Sequence, residues 1–493
     1  MERVLWLLLA VFLASTAAQI CTDDTCGTNA ACFPIDNRAV CLCREGFVGN
    51  PWVKCCNSSC CWCWGDPHCK TFDGTFYDYQ GTCPYVYSKP CNDDLRTTNA
   101  ELYYVVKAKN KLFYPKSPVS YVSEIEVEMY DQTLHVDEKL EFQVNGFKTL
   151  LPFYWPTKDD PKLVAELRGG QVHIRNENYV TVIFAKMFLK MIIPHLDEYM
   201  GRDGICGHSG NLNQNCTDDL IDKDGTGMIR KSCVYPVDKK TLTDVAKVLD
   251  TWSADSFGGF DPAGGQCRTG EGITPDLPEC DTGMSSKLCT PIKQAMEGTG
   301  PFAVCKAMPK ETIKMAYEGC VFDLCFMKEA RCDTLKNFVA ECQNTLGKVE
   351  LPAWRAVTNC PMQCPGGMQY SSCVSGCQAT CANPSVVDKC GQPCAEGCKC
   401  PQGRLLDTSG GLPGKCVLPN ECPCFDLQGS PHQRNSFWWH DNCSKQSTCM
   451  NGKIYTNTGQ KCTPNSHCGV DNGYMDCVCN DGFKKVNKKC VPK

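Results

Sequence analysis

Two stretches carry residue types that could do chemistry. The first is Asn211-Leu212-Asn213-Gln214-Asn215-Cys216-Thr217-Asp218-Asp219. Asn211, Asn213, Asp218 and Asp219 offer side-chain oxygens on one tight loop, and Asn215 can add its carbonyl. Hard cations are held by about six to eight such oxygens, so the loop is a candidate calcium site, although the EF-hand pattern is not met. The same residues also suit an Asn/Asp-rich surface turn. The second stretch is Gly65-Asp66-Pro67-His68. The Asp66 carboxyl can attack its own carbonyl carbon, with the Pro67 nitrogen as a good leaving group, so Asp66–Pro67 is a candidate self-cleaving bond. A structural turn at a strand start is the competing reading. Enzymatic arrangements are otherwise missing. His68, His135, His173, His195, His208, His432, His440 and His467 are scattered, with no Ser/His/Asp or His-Glu-x-x-His grouping.

The elements that position these residues are set first by cysteine. There are 43 in 493 residues, spread along the whole chain, near the level of a disulfide scaffold. The N-terminus accounts for them. Met1-Glu2-Arg3 precedes an apolar run from Val4 to Ala14, and Ser15-Thr16-Ala17-Ala18 supplies small residues for cleavage after Ala18. Residues 1–18 therefore read as a secretory signal, too short for a membrane span, and the thiols mature in an oxidising compartment. A zinc reading of the Cys-x-x-Cys pairs is the weaker alternative. Lys186 and Lys190 interrupt the most hydrophobic later stretch, Val180 to Pro194, so no membrane span is expected. A net charge of −5 with dispersed signs suggests neither nucleic acid nor a charged membrane surface. An odd cysteine count leaves at least one thiol free or joined to another molecule. Cys360 and the Cys56/Cys60/Cys61 run are the expected intermolecular sites, which would give a disulfide-linked homo-oligomer. Asn-x-Ser/Thr occurs at Asn57, Asn215 and Asn442. Asn57 and Asn442 are expected to carry glycans, and Asn215, inside the metal loop, to be poorly occupied.

Periodicity gives the elements themselves. Glu124 to Met129 and Gln171 to Arg175 alternate as half-buried strands, and Thr181 to Phe184 is continuously apolar, suiting a strand buried on both sides. Asn145-Gly146 predicts a hairpin turn. Short strands punctuated by Gly and Asn argue for an antiparallel sandwich. From Leu242 the period turns helical, through Val245, Ala246 and Leu249 to Trp252, and again at Pro291–Met296, Glu311–Leu324 and Thr334–Leu346.

Several motifs resemble known modules. Trp64-Gly65-Asp66-Pro67-His68, Thr71-Phe72-Asp73-Gly74, Gly81-Thr82-Cys83 and the Gly204 to Asp219 segment resemble the opening and closing motifs of the von Willebrand factor type D module, placed at 61–235. That resemblance implies a disulfide-bound, calcium-binding β-sandwich. It adds Asp73 to the calcium ligands, implies a Cys63–Cys206 bridge, and implies self-cleavage, because some type D modules with Gly-Asp-Pro-His cut themselves there. Family members that form multimers commonly show Cys-Gly-Leu-Cys, but here the segment reads Asp203-Gly204-Ile205-Cys206. Residues 19–56 resemble an EGF-like module, which implies Cys21–Cys32, Cys26–Cys41 and Cys43–Cys55. Residues 242–360 are similar to an eight-cysteine helical module, 364–422 to a trypsin-inhibitor-like module, and 423–493 form a cysteine-rich tail with an EGF-like end. The fold class is thus multidomain and disulfide-rich: an antiparallel sandwich, a helical module and small cysteine-rich modules. The family resemblance implies a secreted matrix or mucus glycoprotein acting in adhesion or assembly with other extracellular proteins. The alternative is a secreted serine protease inhibitor or defence protein acting through 364–422. In inhibitory relatives of that module the reactive bond lies between the fifth and sixth cysteines. Here that loop is Cys390-Gly391-Gln392-Pro393-Cys394, and its proline suits most serine proteases poorly.

Overall fold

The alternating segments between residues 54 and 206 pair into two antiparallel sheets in a computed structural model of the chain. The structure describes residues 21–493 except 23, 36–37, 116, 227–232, 234–238, 256–266, 274–281, 412, 427–429, 441–442, 459–461, 463, 472–473 and 487–488. The expected signal segment and Asn442 lie outside the described residues. One sheet runs in the order Phe147–Lys148, Phe142–Val144, Gln132–Val136, Ser120–Met129, Tyr104–Leu112, Pro84–Pro90, Ile205–Cys206. The other runs Phe153–Pro156, Pro161–Arg168, Gln171–Asn176, Thr181–Ala185, Phe188–Pro194, Lys54–Trp64, His68–Lys70, Phe76–Asp78. The short strand Phe47–Asn50 pairs with the start of Lys54–Trp64.

The two inner faces share one apolar core that includes Ile125, Val127 and Leu134 from the first sheet and Leu163, Ile174, Val182 and Phe184 from the second. This is sandwich packing. On the opposite face of Ser120–Met129, Glu126 is held by Lys107 at 2.8 Å. Asn145 and Gly146, at φ 51° and 81°, join Val144 to Phe147. Two left-handed residues in a two-residue loop match the twist of the strands they connect.

The strand Thr181–Ala185 is buried throughout because the second sheet is covered twice. Its outer face carries Trp62, Trp64, Ile183 and Phe188, which pack against Ile292, Phe302, Leu324, Phe338 and Trp354. Those residues come from helices Thr290–Glu297, Lys310–Phe326 and Arg331–Leu346, a 3-10 segment Gly300–Ala307 and a short helix Trp354–Thr358. Fully burying one such side chain contributes about 1.5–3 kcal/mol, so this second core holds the helical module on the sheet. Lys190, on the same face, meets Glu341 at 2.7 Å. The helix Lys239–Leu249 behaves differently from its neighbours. Val245, Ala246 and Leu249 enter the sandwich core, whereas its sequence position suggested the helical module.

The first small module and residues 364–422 pack on each other. Ile35, Val40 and Leu42 of the hairpin Ala30–Ile35/Arg38–Cys43 pack with Cys377, Cys390 and Cys394, far along the chain. Trp52 Nε1 donates to the Cys390 carbonyl at 3.2 Å. Bridges close each unit: Cys21–Cys32, Cys26–Cys41 and Cys43–Cys55 near the start, and Cys364–Cys398, Cys373–Cys394, Cys377–Cys390, Cys381–Cys422 and Cys400–Cys416 in residues 364–422.

Two expectations about cysteine are corrected. Cys63 does not pair with Cys206. Cys63 lies directly opposite Cys69 on adjacent strands and bridges it, while Cys206, beside Lys89 in the other sheet, bridges Cys91. The expected bridge would have had to join the two sheets through the core. Cys360 is not an intermolecular site, because it is buried and bridges Cys332. Among the described residues, the cysteines without a disulfide are Cys56, Cys60 and Cys61, in order exposed, partly buried and buried.

Candidate functional site

The loop after Ile205–Cys206 returns to the start of the sandwich, and Asp73 anchors it. One Asp73 carboxylate oxygen accepts from the backbone N–H groups of Asn213 and Gln214, at 2.8 and 2.9 Å. Asn213 Nδ2 donates to both oxygens of Asp218, at 3.1 and 3.0 Å. Asp219 accepts a hydrogen bond from the Thr71 hydroxyl. The Thr75 hydroxyl donates to the Cys216 carbonyl. Two buried oxygens remain without a hydrogen-bond partner: Asn211 Oδ1 and Asp219 Oδ1. Gly210, at φ 73°, allows this approach, since a Cβ there would lie 2.8 Å from the Asp219 carboxyl. Burial pushes the Asp219 carboxyl up to about 7, opposed by the Thr71 hydroxyl and reinforced by Asp73. Burial also raises Asp73, against the N–H groups of Asn213, Gln214 and Asn215. The structure thus brings Asp73, Asn211, Asn213, Asp218 and Asp219 together. The Asn215 side chain caps Thr217, accepting from its backbone N–H at 3.2 Å. An all-oxygen donor set with orphaned buried acceptors fits a hard cation such as calcium. Asp73, Asn211, Asp218 and Asp219 would hold it. Thr71 and Thr75, which orient the loop, were not picked out from sequence.

The second cluster surrounds Gly65-Asp66-Pro67-His68, in the turn between Lys54–Trp64 and His68–Lys70. Asp66 is fully buried, and neither carboxyl oxygen has a hydrogen-bond partner. His68 Nε2 stands 3.0 Å from Asp66 Oδ1 and 3.3 Å from Asp323 Oδ1, while His68 Nδ1 is 2.8 Å from Asp78 Oδ1. Asp323 comes from the helix Lys310–Phe326. It also accepts from the Asp66 backbone N–H at 3.2 Å. Gly65, at φ 66°, leaves it room: a Cβ there would lie 2.0 Å from Asp323 Oδ2. Burial holds the Asp66 carboxyl well above the usual carboxylate range, offset by His68 and reinforced by Asp323. For His68, burial opposes the proton, but Asp78, Asp66 and Asp323 outweigh it and raise the imidazole. The arrangement therefore raises the proton affinity of both Asp66 and the neighbouring ring. Asp78 and Asp323 were missed from sequence. Asp323 carries no local signal, since it lies 257 residues from Asp66 and reaches it only through the fold.

The remaining predicted residues fall elsewhere. Asn57 is exposed on the edge of Lys54–Trp64. Asn215 is exposed, but its side chain is committed to Thr217. The loop 390–394 is engaged internally: Gln392 takes a hydrogen bond from Arg168, and the Cys394 N–H donates to Gly347 O at 2.9 Å.

Residues 61–226 match the von Willebrand factor type D domain, 288–361 the C8 domain and 364–422 the trypsin inhibitor like cysteine rich domain. The chain thus carries these three domains in that order, and its fold class is the disulfide-rich multidomain one expected. It is 27% identical to mouse zonadhesin over 487 residues, covering 95% of this chain and 8% of that protein. It is 26% identical to human alpha-tectorin over 491 residues, covering 95% and 20%, and 29% identical to human IgGFc-binding protein over 426 residues, covering 83% and 7%. The chain therefore spans a fifth or less of the length of these relatives.

Proposed function

We propose that this protein is secreted and acts outside the cell, without enzymatic turnover, in adhesion or assembly of matrix or mucus. Its partners would be other extracellular proteins or glycoproteins, and calcium would clamp its type D domain. The domain set and the resemblance to zonadhesin, alpha-tectorin and IgGFc-binding protein support the general role. Among the described residues, no helix is long and apolar enough to cross a membrane. The observation that carries assembly is Cys56, an exposed thiol without an internal disulfide in a chain with 43 cysteines. An exposed thiol in an oxidising compartment finds a partner. The expected result is a dimer on a non-reducing gel that collapses with reductant and is lost in Cys56→Ser. A monomer carrying a titratable Cys56 thiol would refute covalent assembly.

The inhibitor reading is less well supported, because the 390–394 loop is packed against its own chain rather than presented. Self-cleavage at Asp66–Pro67 has a specific observation in its favour, the fully buried Asp66 carboxyl, which makes no hydrogen bond and has the His68 ring 3.0 Å away. One carboxyl oxygen would bond to the Asp66 carbonyl carbon, and the bond to the Pro67 nitrogen would break. The proton the carboxyl gives up balances the one the nitrogen takes, leaving a cyclic anhydride that water opens. Because Cys63 bridges Cys69 across the cut, the fragments would part only after reduction. Asp66→Ala should leave the reduced chain intact at mildly acidic pH. A wild-type chain that also stays intact there would sink this reading.

A further inference from the structure

The cluster at Asp66 has the geometry of a metal centre. Ligand atoms of Asp66, His68 and Asp323 all lie within 4.8 Å of one another. The two distances from His68 Nε2, 3.0 Å to Asp66 Oδ1 and 3.3 Å to Asp323 Oδ1, match the edges of a small coordination polyhedron. Donors about 2.0–2.1 Å from a tetrahedral zinc ion stand about 3.3 Å apart. Three of the atoms aimed inward, both Asp66 oxygens and His68 Nε2, are buried and make no hydrogen bond. Asp66 itself is fully buried. A buried carboxyl with neither oxygen hydrogen-bonded, and with the His68 ring 3.0 Å away, leaves lone pairs that a cation would satisfy.

The surroundings supply what such a centre requires. His68 presents Nε2 inward because Nδ1 is tied to Asp78 at 2.8 Å. A carboxylate behind a ligating imidazole fixes ring orientation and increases its basicity. A cavity of ≈ 330 Å³, lined by His68, Asp78, Glu311, Glu318 and Phe322, reaches the outer side of the His68 ring, while Asp66 and Asp323 lie buried behind it. One imidazole with two carboxylates favours a borderline ion of the zinc class over calcium or magnesium, which prefer all-oxygen shells.

We propose that Asp66, His68 and Asp323 bind one zinc-class divalent cation, with Asp78 orienting His68, and that the ion ties the type D domain to the C8 domain. Asp66 and His68 join the first domain to Asp323 of the second, so the ion is a cross-link between them. Binding replaces protons: any proton on the Asp66 carboxyl or on His68 Nε2 goes to solvent. A metal-bound Asp66 carboxylate is also withdrawn from attack on its own carbonyl. Zinc would therefore protect the Asp66–Pro67 bond. This last consequence rests on the self-cleavage reading, but the binding site does not.

The test is equilibrium dialysis of the purified, calcium-saturated full chain against Zn²⁺. One zinc per chain is expected in the wild type, weakened at least 100-fold in Asp323→Asn and in His68→Gln. Asp78→Asn, which leaves all three ligands, should weaken it by about 10–100-fold. Asp323→Asn keeps an oxygen to accept from the Asp66 N–H, and circular dichroism checks that each variant folds. If either ligand variant fails to fold, Asp78→Asn decides the matter. No zinc bound by the wild type, or unchanged binding in the folded variants, overturns the proposal. Reducing gels run on the same samples separate the two readings. Zinc binding with no cleavage under any condition supports the site and counts against self-cleavage. Cleavage that proceeds equally with and without zinc, in a chain that binds no zinc, does the reverse.

Discussion

The two acidic clusters are both built on the type D domain, but on opposite principles. The 211–219 loop is held from within: Asp73 meets backbone N–H groups, Asn213 meets Asp218, and Asn215 caps Thr217. Its donors are oxygens alone, part of it reaches solvent, and all but Asp73 come from nine consecutive residues. The Gly65–His68 cluster is held from outside. Its turn supplies Asp66 and His68, but Asp323 arrives from a helix of another domain. It includes an imidazole and a fully buried carboxyl. The first arrangement suits a hard cation at the rim of a sandwich. The second concentrates acid groups where burial makes proton, metal or bond cleavage the available outlets. Ligand chemistry here follows less from the number of carboxyls than from what satisfies their lone pairs.

The bridges should separate the regions most strongly. Cys91–Cys206 spans 115 residues and fixes the strand that leads into the loop, while Cys63–Cys69 spans six and flanks the buried cluster. On chain entropy, replacing both cysteines of the first pair by serine should cost about 5 kcal/mol, and of the second about 2 kcal/mol. Denaturant unfolding reads both, and equal costs would contradict the difference. Acid should act next. Burial pushes His208 down to about 4, although its Nε2 is within hydrogen-bond distance of the Leu249 carbonyl. An unfolded histidine takes its proton near 6.5, so between those values the unfolded chain binds more protons. Stability is then full above pH 6.5 and falls as pH drops toward 4, by up to about 3 kcal/mol. His208→Gln should remove that part of the acid dependence in melts at pH 5 and 7.5; an unchanged slope would assign it elsewhere.

Glycine substitutions give smaller and local effects. Gly65→Ala drives a Cβ against Asp323 and Gly210→Ala drives one against Asp219, both at positive φ. Each should cost about 1–3 kcal/mol, with Gly65→Ala also loosening the C8 helix from the sheet. Hydrogen exchange in residues 310–326 should rise in the first variant only. The least effect is expected from Asn57→Gln. The side chain is exposed, so the change should remove a glycan from a peptide map while leaving the melt within about 0.5 kcal/mol.

Much of this architecture was legible in the chain because it rests on local patterns. The strand at Glu124–Met129 announced itself by alternation, the turn by its Asn145-Gly146 pair, and Thr181–Phe184 by an apolar run whose second cover is the helical module. The oxygen-rich loop was legible for the same reason, since all its acidic and amide side chains but Asp73 crowd one segment. Register was not. Which cysteine faces Cys63 depends on the tight turn at 65–67 that lays His68–Lys70 back on Lys54–Trp64. The helix Lys239–Leu249 showed its period but not the core its apolar face would enter. Asp323 sits in a helix whose pattern reports only packing. The contact of residues 35–42 with 377–394 likewise joins segments that nothing local connects.

The most direct test of the account is a set of thermal melts in calcium and in chelator for wild type, Asp73→Ala and Asp323→Asn. Calcium at about 100 times its dissociation constant should stabilise the wild type by about 3 kcal/mol. The gain should vanish in Asp73→Ala and persist in Asp323→Asn, because only the first residue belongs to the oxygen loop. Superimposable wild-type melts with calcium and chelator, or a calcium gain that survives in Asp73→Ala, would contradict it.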